Sequence, residues 1–495
     1  MLKKKKHIIN GLFIVFPITV LYNNFAFWNI AMGGKKMSAK KSKMKNLTEG
    51  SPAKLIIGFA IPMFLGMLFQ QFYSMVDTII VGHYLGVEAL AAVGATGSVN
   101  FLIIGFCMGV CNGFALPIAQ EFGAGNAPRL RQFVANSVWL SVIFAAVMTV
   151  VVSLLCRPIL QLMRTPENII DGAYSYIIVI FIGIPVVFLY NVTASIIRSL
   201  GDSKTPVIFL VMAAVLNIFL DLLLIIVIPM GVAGAAVATV VSQAIAGVCC
   251  LLYMYRKFEI LHLSKEEWKW NSDCVGRLCN MGIPMGLQYS ITAIGSVILQ
   301  SAVNGIGSDA VAAVTAGSKL SMLMMCPFDA MGSTMATYGG QNVGAGDLDR
   351  VGKGLKSCTL LGLLYSLLAI GIVFLGGKYM LLLFLDADET VILANAYAFV
   401  RTNVFFYFPL ALVNIVRFLI QGMGFSKLAV FAGAFEMLAR GLAGFVLVPF
   451  FGFPAVCFAN PLAWIFADIF LIPAYFHVRK RLQKILGNRK TADPA

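Results

Sequence analysis

The chain has 495 residues, of which 59% are hydrophobic and 12% charged, with a formal net charge of +15 at pH 7. Globular domains carry about 25% charged residues, so this composition excludes a soluble fold. It also argues against a nucleic-acid binder, because the Lys and Arg residues sit in short stretches between long apolar runs, the pattern that sets membrane topology.

Residues 1–45 form a basic and hydrophobic extension: Lys3 to Lys6, an apolar run from Ile8 to Met32, then Lys35, Lys36, Lys40, Lys41, Lys43 and Lys45. More positive charge after the run than before it disfavours a cleavable signal peptide. The segment reads as an extra hydrophobic helix or as a chain start placed upstream of Met37 or Met44. Twelve stretches follow that reach the ~20 helical residues a bilayer requires: 53–82, 89–120, 131–156, 168–198, 205–228, 231–256, 276–303, 310–341, 354–376, 391–421, 427–449 and 454–478. They predict an all-α integral membrane protein with a first six-helix bundle over 46–256, a polar linker at 257–275, a second six-helix bundle over 276–478 and a basic tail at 479–495. Pro62, Pro117, Pro185, Pro284, Pro327 and Pro409 predict kinks.

The two halves are copies. Ile61-Pro62 returns as Ile283-Pro284, Leu90-Ala91-Ala92-Val93 as Val311-Ala312-Ala313-Val314, and the stretch Ala119 to Asn126 as Gly340 to Asp347. Six crossings per copy bring both halves into the membrane from the same side, so the repeats are parallel and related by an axis along the membrane normal. One set of alternate loops holds most of the Lys and Arg; the other holds only Arg157, Arg164 and Lys378. By the positive-inside rule, the linker and both ends of the twelve-helix core are cytoplasmic, in a cell membrane.

An ionisable side chain at mid-bilayer costs at least ~2.5–3.5 kcal/mol, so each one is a functional candidate. The first half carries two such acids, Asp77 in helix 1 and Asp221 in helix 5, and no basic residue deep in any of its helices. Two carboxylates without a neutralising cation must be protonated, hold a metal cation or sit in water. Gln70, Tyr73 and Asp77 share a face of helix 1, Asn217 and Asp221 a face of helix 5, Thr239 and Gln243 a face of helix 6. Together they would form an oxygen cage for Na⁺, or for a proton on one carboxylate. The plainer alternative is that Asp221 bonds a neighbouring helix backbone while Asp77 reaches the outer face.

In the second half, Glu436 and Arg440 have the spacing of an intrahelical ion pair, and Arg417 is close enough to a cytoplasmic end to snorkel. Lys319, Asp329, Arg401 and Asp468 lie well inside their helices. Lys319, Asp329 and Arg401, with Gln70 and Gln288, are candidates for lining a substrate cavity. Ten cysteines without a C-x-x-C pair and four scattered histidines offer neither a disulfide framework nor a metal cluster. There is no nucleotide-binding loop, because Gly352-Lys353 is followed by Gly354, and no H-E-x-x-H or G-x-S-x-G motif. These absences point to a protein that is not an enzyme and draws its energy from a gradient. Gly123-Ala124-Gly125 and Gly344-Ala345-Gly346 read as tight helix exits.

These residues resemble the multidrug and toxic compound extrusion (MATE) transporters from about Asn46 to Arg481. The resemblance rests on Asn46-Leu47-Thr48-Glu49-Gly50, on Pro62, Tyr73 and Val76-Asp77-Thr78, on Gln120 and Gln341, on Arg198-Ser199-Leu200-Gly201-Asp202, and on Asn217 with Asp221. It implies two six-helix bundles arranged as a V, and an antiporter that exports amphipathic, often cationic small molecules against inflow of Na⁺ or H⁺. It further implies a cation site at Asp77, Asn217, Asp221 and Thr239, with Pro62 and Tyr73 in the part of helix 1 that bends. No cofactor beyond the coupling ion and no nucleic acid is expected, and the chain is expected to work as a monomer in the lipid bilayer. Where some members have a carboxylate in helix 7, this chain has Gln288 and Thr292, which weakens the case for coupling through the second half. The alternative within the wider superfamily is a flippase for lipid-linked sugars, in which Lys319 and Arg401 would bind phosphate or acidic sugar.

Overall fold

A computed structural model describes residues 46–163 and 165–492, with side chains described as far as Gly487. The predicted extension 1–45, the loop residue Arg164 and the end of the tail therefore lie outside the described residues. The first bundle contains α1 (Pro52–Tyr84), α2 (Val87–Gly123), α3 (Ala127–Leu162), α4a (Glu167–Ile182), α4b (Ile184–Ser199), α5 (Lys204–Leu222) and α6 (Val232–Lys257). The second contains α7 (Ser272–Asn304), α8 (Ser308–Gly344), α9 (Leu348–Leu381), α10a (Thr390–Phe405), α10b (Tyr407–Gly422), α11 (Ser426–Leu442) and α12 (Phe453–Ala492). Ten helical stretches are long and apolar enough to cross a membrane, and the two bent pairs α4a/α4b and α10a/α10b bring the total to twelve. Leu154, Leu375 and Leu383 are among the large apolar side chains left exposed on the outside, as a lipid-facing surface requires.

The bends are 47° at Gly183 and 53° at Phe406. Pro185 and Pro409 lie in the first turn of α4b and α10b, where a missing N–H costs nothing and the fixed φ suits a new helix. Pro62, Pro117, Pro284 and Pro327 instead sit inside unbroken helices. The kinks expected there do not interrupt the helix, because packed membrane helices absorb one lost backbone bond. The sequence also left unforetold two π-helical turns at matching places, Leu223–Val227 after α5 and Ala443–Leu447 after α11. Repeat symmetry extends to the backbone: Gly125 (φ 70°) and Gly346 (φ 75°) close the same left-handed turn in each half.

The bundles exchange ends. Ile56, Phe59 and Met63 at the start of α1 belong to the apolar core of the second bundle, and Cys274 and Leu278 at the start of α7 belong to that of the first. Packing therefore crosses the expected boundary at 256. At the face that carries the linker, the two bundles are locked together. Gly109 and Gly113 of α2 meet the backbone of Gly286 and Gly282 of α7, with no room for a Cβ. Gly123 lies against the Gln341 carbonyl and Gly344 against that of Gln120. Gln120 Nε2 donates to Gly422 O at 2.9 Å, and Gln341 Nε2 to Ser199 O at 2.7 Å. Each bond runs to the last residue of the broken helix in the other half. The linker is pinned to α3, where Trp139 Nε1 donates to Trp268 O and Arg131 pairs with Glu267.

Candidate functional site

Inside the first bundle, α1, α2, α4, α5 and α6 enclose a cavity of about 350 Å³, and Tyr289 of α7 and Phe418 of α10b border it from the second. Gln70, Tyr73 and Asp77 project into it from one face of α1, and Thr239 and Gln243 from α6. Asn217 and Asp221 stand behind them, 1% and 0% exposed. Asn217 Nδ2 donates to Thr239 Oγ1 at 3.4 Å, and Thr239 donates onward to Ala235 O at 3.1 Å.

The Asp77 and Asp221 carboxyl groups lie close enough to interact directly. Asp77 Oδ1 and both oxygens of Asp221 are buried with no hydrogen-bond donor among the described residues, and neither acid forms an ion pair among them. Two apposed carboxylates, one fully buried and one half-buried, resist staying ionised together without a cation, since their repulsion adds to the cost of desolvation. A shared proton supplies the missing donor, and a small hard cation supplies the missing charge. Asp221 makes no bond to a neighbouring backbone, and Asp77 turns an oxygen inward, so the plainer alternative drawn from spacing does not describe this pair. The π-helical turn begins two residues after Asp221; such turns re-aim the side chains around them and recur at functional sites.

Opposite the acids lies a residue that sequence reasoning misplaced. By sequence position Arg198 groups with the loop charges that follow helix 4, which leaves the first half with no deep basic residue. In the structure Arg198 closes the last turn of α4b and lines the cavity. Its Nη2 donates to Ser195 Oγ at 2.6 Å and to Asn112 Oδ1 at 3.3 Å. The signal that could have found it is directional: helical side chains lean toward the N-terminus, so an arginine in a last turn reaches back into the bundle.

The second bundle corrects the expectation for Arg417 and sets most of the cavity candidates apart from this first-bundle cavity. Arg417 does not snorkel; it is 5% exposed and forms a buried ion pair with Glu436. Glu436 therefore bridges two helices, with Arg440 as its second partner at 3.7 Å. Gln288 does not line the cavity: it is buried, and its Oε1 accepts from Gln421 Nε2. Lys319, Asp329 and Arg401 do not line it either. All three are exposed at mid-helix, a position a charge tolerates only when it faces water. Of the five cavity candidates, only Gln70 lies in the cavity. Pro62 lies inside the stretch of α1, Ile56 to Met67, that packs on the second bundle's core, ahead of the Gln70–Asp77 face. A buried Asp468, with Oδ1 unpartnered, lies in the electrostatic field of Arg417.

The family model MatE matches the chain twice, over residues 62–223 and 284–446. The "Probable multidrug resistance protein YpnP" of Bacillus subtilis is 31% identical over 76% of this chain and 83% of its own length. The "FAD transporter" of Shewanella oneidensis is 27% identical over 63% of this chain and 69% of its own. Among solved structures, the outward-facing conformation of a multidrug resistance MATE family transporter of the MOP superfamily superposes with a TM-score of 0.84 at 23% identity, covering 90% of this chain and all of that one.

Proposed function

The chain belongs to the MatE family, the MATE transporters, and we propose that it is a secondary active multidrug efflux antiporter. It exports amphipathic, often cationic compounds in exchange for Na⁺ or H⁺. The observation that carries this reading is the apposed pair Asp77 and Asp221, enclosed without a counter-charge beside a cavity large enough for a small molecule. Positive charge on the linker side makes the locked face cytoplasmic. The cavity then belongs to the outward-facing form, and the protein sits in the cell membrane as a monomer.

Helix α1 is the connecting part. Its first turns are built into the second bundle, its Gln70–Asp77 face lines the cavity, and Pro62 lies within the first of these, among the second-bundle contacts. A cation arriving from outside neutralises the acid pair and lets α1 bend or repack at Pro62 and Tyr73. That change loosens the hold of Ile56 and Phe59 on the second bundle and favours the inward-facing form, where the cation leaves and a new substrate enters. Cation and substrate drive one another because each prefers a different state. Asn217 and Thr239 supply the remaining oxygens for Na⁺, and nothing beyond the coupling ion serves as a cofactor.

The test is transport of a fluorescent dye by the purified chain in lipid vesicles, with a Na⁺ gradient and then a pH gradient imposed. Accelerated dye movement under one of the two gradients, absent when the gradient is collapsed, supports antiport. Dye movement indifferent to both gradients contradicts it.

A further inference from the structure

We propose that the floor of the first-bundle cavity, formed by Arg198 with Asn112 and Tyr289, is an anion subsite that takes the carboxylate or phosphate group of an amphiphile. The proposal rests on the transport reading above and narrows its substrate class. The preferred cargo carries an oxyanion on an apolar body, zwitterions included, rather than being a plain cation.

Arg198 lacks an acidic partner. No carboxylate lies within ion-pair distance of it among the described residues, and its two hydrogen bonds go to neutral oxygens. Asp202, only four residues on, is occupied elsewhere: it accepts from the N–H groups of Lys204 and Thr205, from Thr205 Oγ1 and from Tyr253 Oη. Nor does Arg198 serve as a helix cap. The last carbonyls of α4b are taken by the N–H groups of Leu200, Gly201 and Asp202 and by Gln341 Nε2.

The donors that remain point into the cavity. Both bonds of Arg198 use Nη2, so Nε and Nη1 keep three N–H groups with no acceptor among the described residues. Asn112 receives bonds from Ser195 and Arg198 on Oδ1 only, which leaves its amide N–H₂ unused. Tyr289 lines the same cavity, lies within the electrostatic reach of Asp329 as well as of Arg417 and Arg198, and has no hydrogen bond from its hydroxyl among the described residues. A planar guanidinium with a free edge, an amide and a phenol is a donor set shaped for a flat or tetrahedral oxyanion. Arg198 belongs to the linker end of α4b, whereas Asp77 lies near the far end of α1. The cavity is therefore bipolar, positive at the floor and acidic toward the mouth, which suits a substrate that carries both signs.

Two dyes with one skeleton test this: rhodamine 123, a cation whose carboxyl is methyl-esterified, and rhodamine 110, its free acid. Transport of both by the full chain in phosphatidylcholine vesicles gives a ratio. For Arg198→Gln the ratio of rhodamine 110 to rhodamine 123 should fall by about 10–100-fold, the loss expected for charge-assisted hydrogen bonds. Arg198→Lys, which keeps the charge without the fork, should recover part of it. Asn112→Asp provides an independent route, since a carboxylate built against the guanidinium should occupy the subsite and depress the ratio without removing Arg198. An unchanged ratio in both Arg198→Gln and Asn112→Asp overturns the subsite while leaving antiport intact. A wild-type chain that moves neither dye under either gradient overturns the transport reading and the subsite with it. Adding phosphatidic acid to the vesicles identifies the source of the anion. Suppression of rhodamine 110 transport in wild type but not in Arg198→Gln assigns the subsite to a lipid headgroup, and no suppression assigns it to the cargo.

Discussion

Asp221 and Glu436 occupy comparable helices, α5 and α11, and both are almost fully buried, yet their surroundings are opposite. Asp221 faces another acid, whereas Glu436 is held between Arg417 and Arg440. A buried carboxylate fixed by two guanidinium groups has no reason to exchange protons or cations, so Glu436 reads as structural cement. Glu436→Gln leaves two buried arginines without their shared partner and should cost about 3 kcal/mol of stability, measured as a lower midpoint of thermal unfolding in detergent. An unchanged midpoint would show that Asp468 and Asp329 already balance those charges. The residues of the acid pair were legible from sequence because i, i+4 and i, i+7 spacing fixes a helical face. The same spacing made Arg440 legible as a partner of Glu436 but not Arg417, since periodicity gives the face of one helix but not the identity of the helix packed against it. Arg198 was missed for a related reason: a charge at a helix end was counted with the loop, although its side chain leans back into the bundle.

At the scale of elements, the linker-face lock is built from small residues and two amides. Gly123 and Gly344 are where each bundle admits the backbone of the other, next to the Gln120 and Gln341 bonds. Gly123→Val or Gly344→Val places a side chain on a carbonyl, and overpacking of this kind costs roughly 1–3 kcal/mol. The closed form should therefore lose about tenfold or more in population relative to the open one. Spin labels at the exposed positions Pro128 and Lys353 should report a longer mean distance in these variants; an unaltered distance distribution would show that the glycines do not hold the gate. The sequence reading took these glycines as helix exits, which Gly125 and Gly346 are, but the close approach at Gly123 and Gly344 is a property of two packed bundles. The prolines divide likewise. Pro185 and Pro409 start new helices at real breaks, whereas the other four predicted kinks fall within helices that continue. The residue type was visible in each case; the packing that decides between a break and a continued helix was not.

For the whole molecule, hydropathy and internal repetition were enough to give twelve spans in two bundles, because a bilayer enforces helices of a minimum length. What the repeat hides is asymmetry. The two halves share a backbone plan down to their π-helical turns and left-handed glycines, but the first holds apposed acids and the second a sealed ionic network. On the proposed reading, energy coupling is concentrated in one bundle, and the reciprocal packing of α1 and α7 carries its state to the other. The central claim is that Asp77 and Asp221 borrow their counter-charge from solution once per cycle. The measurement that tests it most directly compares Asp77→Asn and Asp221→Asn with wild type in vesicles, reading dye efflux under an imposed ion gradient alongside dye binding at equilibrium. The account predicts that gradient-driven efflux is abolished in both variants while dye binding persists within a few-fold, and gradient-driven efflux undiminished in both would contradict it.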